Sequence, residues 1–385
     1  MGRSYTKQLS AKHERVQELL GEAPELGDIQ FLSPVGSPRQ TGYRNHAKLV
    51  FRNRRNRESH DQELILGVYK PGTHSVMPAE SCIVHHRRLQ PLLRTLLSEV
   101  EDLEIPIYDE RDGTGALRYA LARTSDHAGL THLTLVAATD KIAKLNTLVL
   151  RLQRRHRELE SVFLCVNSDP GNQLLTDDIR QIKGPPALRE KFGELVLESR
   201  AGAFLQANTE IASRIYTTAA KWLDVWAADG VVDLYCGVGA LGLSSINHNT
   251  RLLGIEASEA AIECARANAK RLKRHRCEFV AAPAEKVLEV AAEKGFENPS
   301  ALIVNPPRRG LSQEAGEAIV KLAPRKILYV SCEPETLVRD LRAFAREGWS
   351  TRRVRIYDML PQTPHVEVMA LLEQAPAAGI AGGSD

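Results

Sequence analysis

The stretch "VVDLYCGVGALGLSSI" (residues 231–246) joins a short apolar run to three glycines spaced G-x-G-x-x-G. The apolar run predicts a buried strand, and the residues that follow predict the start of a helix. Glycines let the backbone approach a ligand closely, and the free N–H groups at a helix N-terminus bind polar groups. Gly237 and Gly239 are therefore candidate cofactor-binding residues, although the same pattern also occurs as a plain strand-to-helix turn.

Further apolar runs follow in the second half, namely "RLLGIEA", "ALIVNPP" and "KILYVSC", with helical patterns between them. This alternation is typical of a doubly wound, mostly parallel α/β sheet. The later "RRVRIYDMLPQTPHVEVMALLE" predicts two added strands joined by a proline-bearing loop. Glu256 ends the second strand, where a carboxylate can accept hydrogen bonds from a ribose. On this pattern alone, a dinucleotide-dependent dehydrogenase remains open.

The first half has a different pattern of apolar and polar residues. Its segments "NHAKLVFRN", "LILGVYK", "LRYALARTS", "LTHLTLVAA" and "SVFLCVNS" alternate apolar and polar residues, with helical patterns at 84–101 and 139–157. Such alternation predicts an antiparallel sheet with helices on one face. The predicted organisation is an N-terminal helix and loop (1–40, the helix over 4–22), a central α+β domain (41–196), a Rossmann-like domain (197–374) and a disordered tail (375–385).

Composition is ordinary for a globular protein, with 43% hydrophobic and 26% charged residues among 385. No run reaches the roughly 20 apolar residues that span a bilayer, and the first 20 residues lack a signal-peptide core. We therefore expect a cytoplasmic protein without membrane contact. The six cysteines are scattered, with no C-x-x-C pair, so a disulfide framework is not expected.

Positive charge is concentrated near the start of the central domain. Residues 39–57, "RQTGYRNHAKLVFRNRRNR", contain no Asp or Glu, and a second basic run, "RLQRRHR", covers 151–157. Such patches supply phosphate contacts to nucleic acids, although a solvated face explains either one equally well. The candidate RNA-binding cations are Arg44, Lys48 and Arg52.

A polar loop, "NPPRRG" (residues 305–310), ends another apolar strand. The two prolines fix φ and carry no N–H, so the amide of Asn305 is held with little freedom. An amide both donates and accepts hydrogen bonds, which suits the edge of a uracil ring. The loop resembles that of S-adenosylmethionine-dependent methyltransferases acting on planar nitrogen or carbon. Taken alone, it also fits a methyltransferase for a small molecule or a protein amide.

Five segments occur in a fixed order: "FLQANTEIA" (204–212), "DLYCGVGALGL" (233–243), "NPPRRGL" (305–311), "YVSCEPETLVRDL" (329–341) and "DMLPQTPHVEVMALLE" (358–373). Together they closely resemble the RNA (uracil-5-)methyltransferase family, which makes 5-methyluridine in transfer and ribosomal RNA. "YTKQLSAKHERV", "GYRNHAKLVF" and "PAESC" extend the resemblance over nearly the whole chain. It implies a class I, Rossmann-like methyltransferase domain preceded by an α+β RNA-binding domain.

The resemblance also implies site residues. Those for S-adenosylmethionine are Gln206, Tyr235, Gly237, Gly239, Glu256 and Asn305, with Asn305 also next to the target base. Cys332 matches the nucleophile and Glu367 the general base. In this chemistry a thiolate adds to uracil C6, C5 is methylated, and a base removes the C5 proton before elimination. We expect Cys332 to be activated locally by the N-terminus of the helix that starts near Pro334.

Two positions depart from the family pattern. Glu333 stands where the family has Asn, and a carboxylate facing the thiol would raise its pKa, so we expect it to point away. Many members hold an iron–sulfur cluster with four cysteines, of which only Cys82 has a counterpart here. One ligand cannot hold a cluster, so we expect none in this chain and an inert thiol at Cys82.

The form Asn-Pro-Pro-Arg-Arg-Gly, the compact length and the lack of an N-terminal OB-like module resemble the bacterial 23S ribosomal RNA branch. Transfer RNA, with 5-methyluridine in the T loop, is the alternative substrate. We expect a monomer, with the target uridine flipped out to reach Cys332. A catalytically idle RNA-binding protein is a third interpretation, but it requires a damaged cofactor site, which the sequence does not contain.

Overall fold

The computed structural model describes residues 4–55, 62–169, 174–225 and 230–374. The chain forms two compact units: unit 1 comprises Met1–Pro38, Phe192–Leu197 and Ala203–Asp385, and unit 2 comprises Arg39–Lys191 and Glu198–Gly202. The predicted tail, 375–385, lies outside the described residues. None of the helices in the described ranges is long and apolar enough to cross a membrane.

The helices are α1 Tyr5–Gly21, α2 Leu89–Asp102, α3 Leu145–Arg155, α4 Thr209–Leu223, α5 Ala240–Ser245, α6 Glu259–Arg271, α7 Val287–Glu293, α8 Gln313–Leu322 and α9 Pro334–Arg346. The first strands are β1 Gln30–Phe31, β2 His46–Arg55, β3 Gln62–Tyr69, β4 Val76–Pro78, β5 Leu117–Thr124, β6 Thr131–Ala137, β7 Leu159–Val166 and β8 Ile179–Lys183. The remaining strands are β9 Ala187–Phe192, β10 Leu195–Arg200, β11 Gly230–Leu234, β12 Arg251–Glu256, β13 Cys277–Ala281, β14 Ala301–Val304, β15 Lys326–Ser331, β16 Trp349–Tyr357 and β17 Glu367–Gln374.

Unit 1 is built on an eight-stranded sheet in the order β1-β16-β17-β15-β14-β11-β12-β13. Strands β15, β14, β11, β12 and β13 pair in parallel, whereas β17 runs antiparallel to both β15 and β16. Val232 packs into a core with α1, α7, α8 and α9, and its neighbour Val231 into a second core with α4, α5 and α6. Because both faces are buried, the strands are continuously apolar. The predicted doubly wound α/β fold is confirmed.

Unit 2 contains a seven-stranded sheet in the order β4-β3-β2-β5-β6-β7-β8. On one face, Leu49 and Phe51 of β2 share a core with the apolar residues of α2 and α3. Val50 alternates to a smaller apolar cluster on the other face. The prediction of an antiparallel sheet is wrong at one pair, because β6 and β7 are parallel. The chain between them contains α3, and such a crossover is what a parallel pair needs.

The second basic run forms ion pairs within unit 2. Arg151 pairs with Glu99 (2.9 Å) and Asp102 of α2, and Arg155 pairs with the other oxygen of Glu99 (2.9 Å). Glu99 is buried, so these guanidiniums serve in part to neutralise it. The interpretation of residues 151–157 as a structural face is therefore favoured over an RNA-binding patch.

Helix α1 is fixed to unit 1 by a buried ion pair. Lys12 Nζ lies 2.6 Å from Asp358 Oδ1 and donates to the carbonyl of Leu360 at 3.2 Å. Lys12→Met leaves Asp358 as an uncompensated buried charge, and breaking such a pair destabilises a protein by about 3–5 kcal/mol. We expect chemical denaturation at pH 7 to show a loss of that size. Lys7→Met, at an exposed position of the same helix, should leave the unfolding midpoint nearly unchanged.

Candidate active site

Five of the predicted residues lie at one edge of the unit 1 sheet, four at the carboxyl ends of parallel strands and one at the start of the antiparallel strand β17. In sheet order they are Glu367 at the start of β17, Cys332 after β15, Asn305 after β14, Tyr235 after β11 and Glu256 at the end of β12. Open α/β sheets bind their ligands at this edge, where loops leave the strands and side chains converge. The arrangement is therefore a candidate active site.

Cys332 and Glu367 are brought together by the antiparallel ladder of β15 and β17. Ser331 pairs with Val368, so the next residue on each side, Cys332 and Glu367, stand opposite each other where the ladder ends. Glu367 is buried, and its Oε2 has no hydrogen-bond partner within the described ranges. Cys332 is partly buried. A thiol thus faces a largely buried carboxyl group, one oxygen of which has no hydrogen-bond partner in the described ranges.

The electrostatics of this pair depend on burial and on one arginine. Burial, and next the nearby Glu367, raise the pKa of Cys332 above its ordinary value, whereas Arg308 lowers it. Burial raises the pKa of Glu367 to about 8, against a lowering by the same Arg308. The prediction that the helix N-terminus leaves Cys332 with a lowered pKa is therefore wrong, because desolvation and the neighbouring carboxylate outweigh it.

Arg308 is the residue that sequence reasoning missed. It lies in the "NPPRRG" loop three residues after Asn305, and its charge acts on both members of the pair. The signal in the sequence was a cation three residues after Asn305, a predicted site residue that directly follows a strand. Whether Arg308 acts on the pair depends on how far its side chain extends, and the spacing of residues in the sequence does not show that.

Glu333, the departure from the family pattern, is bound within the first turn of α9. Its side chain hydrogen-bonds to Glu335, which is paired with Arg15 of α1, and this contact raises the pKa of Glu333. It contributes to the raised pKa of Cys332 only as the smallest of several influences. The backbone turn is held by Ser331, whose Oγ accepts from Glu333 N at 3.1 Å.

The glycine loop after β11 is shaped for close approach by a ligand. Tyr235 and Gly239 both have left-handed backbone conformations, with φ of 59° and 77°. Around Gly237 nothing lies within 4 Å of the position that a Cβ would take. The carboxylate of Glu256 accepts from Gly237 N at 3.3 Å and from Ser258 N at 3.1 Å. Open space over the loop and a fixed carboxylate beside it fit a nucleoside-containing ligand.

Below this loop, Asp233 is fully buried and accepts from Gly242 N at 3.0 Å, and burial raises its pKa to about 7. A Cβ at Gly242 would lie 2.6 Å from that carboxylate, which explains the third glycine. Cys236 is also buried, and its pKa is raised well above the ordinary value, so it packs as an apolar residue.

Gln206 lies in unit 1, on the segment leading into α4, rather than on a strand end. The Asn208 side chain caps α4 by accepting from Ile211 N at 3.3 Å. Its Nδ2 donates to Ser37 Oγ and to the carbonyl of Met359, at 3.1 and 3.2 Å. The asparagine of the F-x-Q-x-N motif therefore fixes the backbone that carries Gln206.

The predicted RNA-binding cations lie in unit 2. Lys48 and Arg52 share one face of β2, opposite the face that packs on the helices. The pKa of Lys48 is lowered by burial and by nearby Arg123 and Arg44. Arg52 is engaged by Glu110 at 2.8 Å and by the Tyr69 hydroxyl at 3.1 Å. Although its surroundings partly desolvate the amine, the Lys48 side chain still reaches solvent, whereas Arg52 already has a carboxylate partner.

Cys82 lies in unit 2, partly buried against the helix-side core. Within the part of the chain that the structure describes, no three His, Cys, Asp or Glu side chains lie close enough to hold a metal ion. These described residues do not provide the ligand set of an iron–sulfur cluster.

Comparison with known proteins gives concordant results. Residues 187–375 match the sequence profile of the family described as tRNA (Uracil-5-)-methyltransferase. An uncharacterized RNA methyltransferase of Geobacter sulfurreducens is 33% identical over 368 residues, which cover 96% of this chain and 73% of that protein. The chain belongs to the RNA uracil-5-methyltransferase family. It is therefore an S-adenosylmethionine-dependent enzyme that modifies RNA.

Other relatives of this methyltransferase have similar coverage. An uncharacterized RNA methyltransferase of Lactobacillus johnsonii is 32% identical, over 96% of this chain and 80% of its own length. The crystal structure of Pyrococcus abyssi tRNA (uracil-54, C5)-methyltransferase in complex with S-adenosyl-L-homocysteine superimposes with a TM-score of 0.75. It is 22% identical and covers 96% of this chain and 83% of that one. The likeness confirms the Rossmann-like class I fold.

The buried Glu367 makes the stability of this methyltransferase depend on pH. Its pKa is about 8 in the folded protein and about 4.3 in an unfolded chain, so folding favours the protonated form. This contribution is complete below about pH 4 and is lost as the pH rises through 8. Glu367→Gln should therefore be more stable than wild type by about 2–4 kcal/mol at pH 8.5. Urea unfolding at pH 5 and pH 8.5 should show a much smaller difference at the lower pH.

Proposed function

We propose that this enzyme forms 5-methyluridine at a specific uridine of 23S ribosomal RNA, through a covalent bond between Cys332 and uracil C6. The observation that carries the proposal is the meeting of Cys332 and Glu367 at the end of the β15–β17 ladder. A nucleophile and a base are both needed within reach of one ring, and here one ladder holds the two groups opposite each other.

The chemistry follows from the two groups. The Cys332 thiolate forms a bond to C6, and the electrons of the C5–C6 double bond move onto the ring as an enolate, which makes C5 nucleophilic. S-adenosylmethionine, when bound, would supply the electrophilic methyl group that C5 takes, and the electrons of the broken S–CH3 bond would leave with S-adenosylhomocysteine. The Glu367 carboxylate then accepts the proton of C5, and the electron pair re-forms the C5–C6 double bond and expels the thiolate. The base must be ionised for this step, so the pKa of about 8 predicts a rate that rises from pH 7 to 9.

The remaining residues of the sheet edge have binding roles in this proposal. Glu256 and the loop of Gly237 and Gly239 hold the nucleoside part of the methyl donor, and Gln206 and Tyr235 hold the rest of it. Asn305, fixed by the two following prolines, contacts the edge of the uracil ring. Arg308 offsets negative charge on Cys332 and Glu367. In unit 2, Arg44, Lys48 and Arg52 bind the RNA backbone.

The choice of RNA rests on the Asn-Pro-Pro-Arg-Arg-Gly form of the loop, which resembles the 23S ribosomal RNA branch. Transfer RNA is retained as a second candidate, because the matching family description names tRNA and the Pyrococcus abyssi enzyme is described as acting on uracil-54 of tRNA. We expect the enzyme to act as a monomer in the cytoplasm.

The test uses methyl-labelled S-adenosylmethionine with two substrates under identical conditions: 23S ribosomal RNA fragments and unmodified transfer RNA transcripts. Label in 5-methyluridine at one position of the 23S fragments, mapped by nuclease digestion and mass spectrometry, is the expected result. Label found only in the T loop of transfer RNA would show that transfer RNA, and not 23S ribosomal RNA, is the substrate. Label on neither RNA, or on an atom other than uridine C5, contradicts the proposal.

A further inference from the structure

Helix α9 is tied to the "NPPRRG" loop by side chains that the proposed chemistry does not use. They belong to "ETLVRD" (residues 335–340), the part of the motif that follows Cys332. The single hydroxyl proton of Thr336 is shared between the carbonyl of Arg308, 3.0 Å from Oγ1, and that of Glu333, 3.1 Å from Oγ1. The loop that carries Arg308 is thereby joined to the residue next to the nucleophile.

A second tether joins the far end of the loop to the same helix. Arg339 Nη2 donates to the carbonyls of Arg309 and Leu311, each at 3.0 Å. Asp340 Oδ2 accepts from Leu311 N at 2.9 Å. Together with the contact from Thr336, four hydrogen bonds join the carbonyls of Arg308, Arg309 and Leu311 and the amide of Leu311 to two turns of α9.

The helix side of this tether is itself anchored in the core. Asp340 is 6% exposed, and its Oδ2 also accepts from the hydroxyl of the fully buried Tyr329 of β15 at 2.6 Å. Arg339 pairs with Asp340 Oδ1 at 2.6 Å. At Gly310, where φ is +73°, a Cβ would lie 2.5 Å from both Arg339 Nη2 and Asp340 Oδ2. The loop is therefore packed so closely on the helix that a side chain does not fit between them.

This fixation matters because of the charges that meet at the site. In the reacting form, the Cys332 thiolate and the Glu367 carboxylate are both negative, and like charges disfavour each other's ionisation. The groups that act on Cys332 are Glu367, Arg308 and Glu333, and those coupled to Glu367 include Arg308 and Tyr216. Arg308 is the cation acting on both members of the pair.

We propose that Thr336 and Arg339 are positioning residues, which hold the loop so that Arg308 stays where it offsets the charges of Cys332 and Glu367. The importance of this positioning for catalysis rests on the proposed function. Its direct effect, however, is on the ionisation of the Cys332 thiol. Coulomb energy falls with distance, so releasing the loop weakens the effect of Arg308 on that thiol. Neither residue touches substrate in this account.

The test measures Cys332 directly and needs neither RNA nor methyl donor. The full-length protein is alkylated with iodoacetamide at pH values from 6 to 10, and the rate at Cys332 is followed by peptide mass spectrometry, with Cys82 as an internal reference. In the double variant Thr336→Val/Arg339→Gln, the midpoint of the Cys332 profile should move up by roughly half a pH unit. Each single variant should give part of that shift.

Two matched controls distinguish the loss of loop positioning from the general effect of changing a residue of α9. Thr336→Ser keeps the hydroxyl and should restore the wild-type profile, and Arg342→Gln removes a cation of α9 that pairs with Glu25 instead of the loop. An unchanged Cys332 profile in the double variant, an equal shift in Arg342→Gln, or an equal shift at Cys82 would overturn the proposal. If the Cys332 alkylation profile shifts in the double variant but the wild-type protein methylates no RNA, the positioning role is supported and the proposed function is contradicted. Failure of the positioning role can therefore be distinguished from failure of the proposed function.

Discussion

Cys332→Ala is expected to abolish RNA methylation, with kcat falling by roughly 10⁴-fold or more, because no other group can supply the covalent activation of C5. Uracil C5 is a weak nucleophile until a thiolate has added to C6. Binding of S-adenosylmethionine should be little changed, since Cys332 lies two strands away from the glycine loop in the sheet order. Single-turnover methylation and calorimetric binding of the methyl donor measure the two effects separately.

A matched control is available in the same unit. Cys277 is partly buried on β13, at the edge of the sheet, and Cys277→Ala should retain methylation within a factor of about two. Methylation by Cys332→Ala at more than a few per cent of the wild-type rate would contradict the role of this thiol as nucleophile. Equal losses in both cysteine variants would point to damage to the fold.

Glu367→Gln is expected to stop the reaction after methyl transfer, because the amide cannot take the C5 proton. The covalent protein–RNA species should then accumulate and migrate slowly on a denaturing gel, carrying one labelled methyl group per protein. Turnover should fall by about 10²–10⁴-fold, the usual contribution of a general base. The variant should remain folded, since its stability is predicted to rise rather than fall at alkaline pH.

Glu373→Gln is the control for this variant. Glu373 lies on the same strand but is partly exposed and 3.7 Å from Arg352, so its variant should turn over normally and accumulate no adduct. The double variant Cys332→Ala/Glu367→Gln should form no slow band. Accumulation of the band in that double variant, or normal turnover in Glu367→Gln, would contradict the assigned roles.

Much of the site was predictable because parallel strands present their carboxyl ends on one edge. Tyr235, Glu256, Asn305 and Cys332 each follow an apolar run in the sequence, so their shared location follows from the fold class alone. The pairing of Glu367 with Cys332 is different. It depends on the antiparallel register of β17, which is set by the loop before it and by core packing, not by a local pattern.

Two predictions were wrong, each for its own physical reason. The expected lowering of the Cys332 pKa considered the helix N-terminus but not the desolvation and the facing carboxylate, which are tertiary effects. The β6–β7 pair reads as alternating strands in the sequence, yet it is parallel because α3 lies between the two strands. Arg308 was overlooked because the sequence gives its place on a loop but not the reach of its side chain.

The central claim, covalent catalysis by Cys332, is tested most directly with RNA that contains 5-fluorouridine in place of uridine. Fluorine cannot leave C5 as a cation, so Glu367 has no proton to remove and the methylated adduct cannot collapse. After digestion with trypsin and nuclease, mass spectrometry should find the peptide containing Cys332 joined to one methylated fluorouridine nucleotide. Attachment at another residue, or efficient methylation of unmodified RNA by an enzyme that forms no adduct with the fluorinated RNA, would contradict the account.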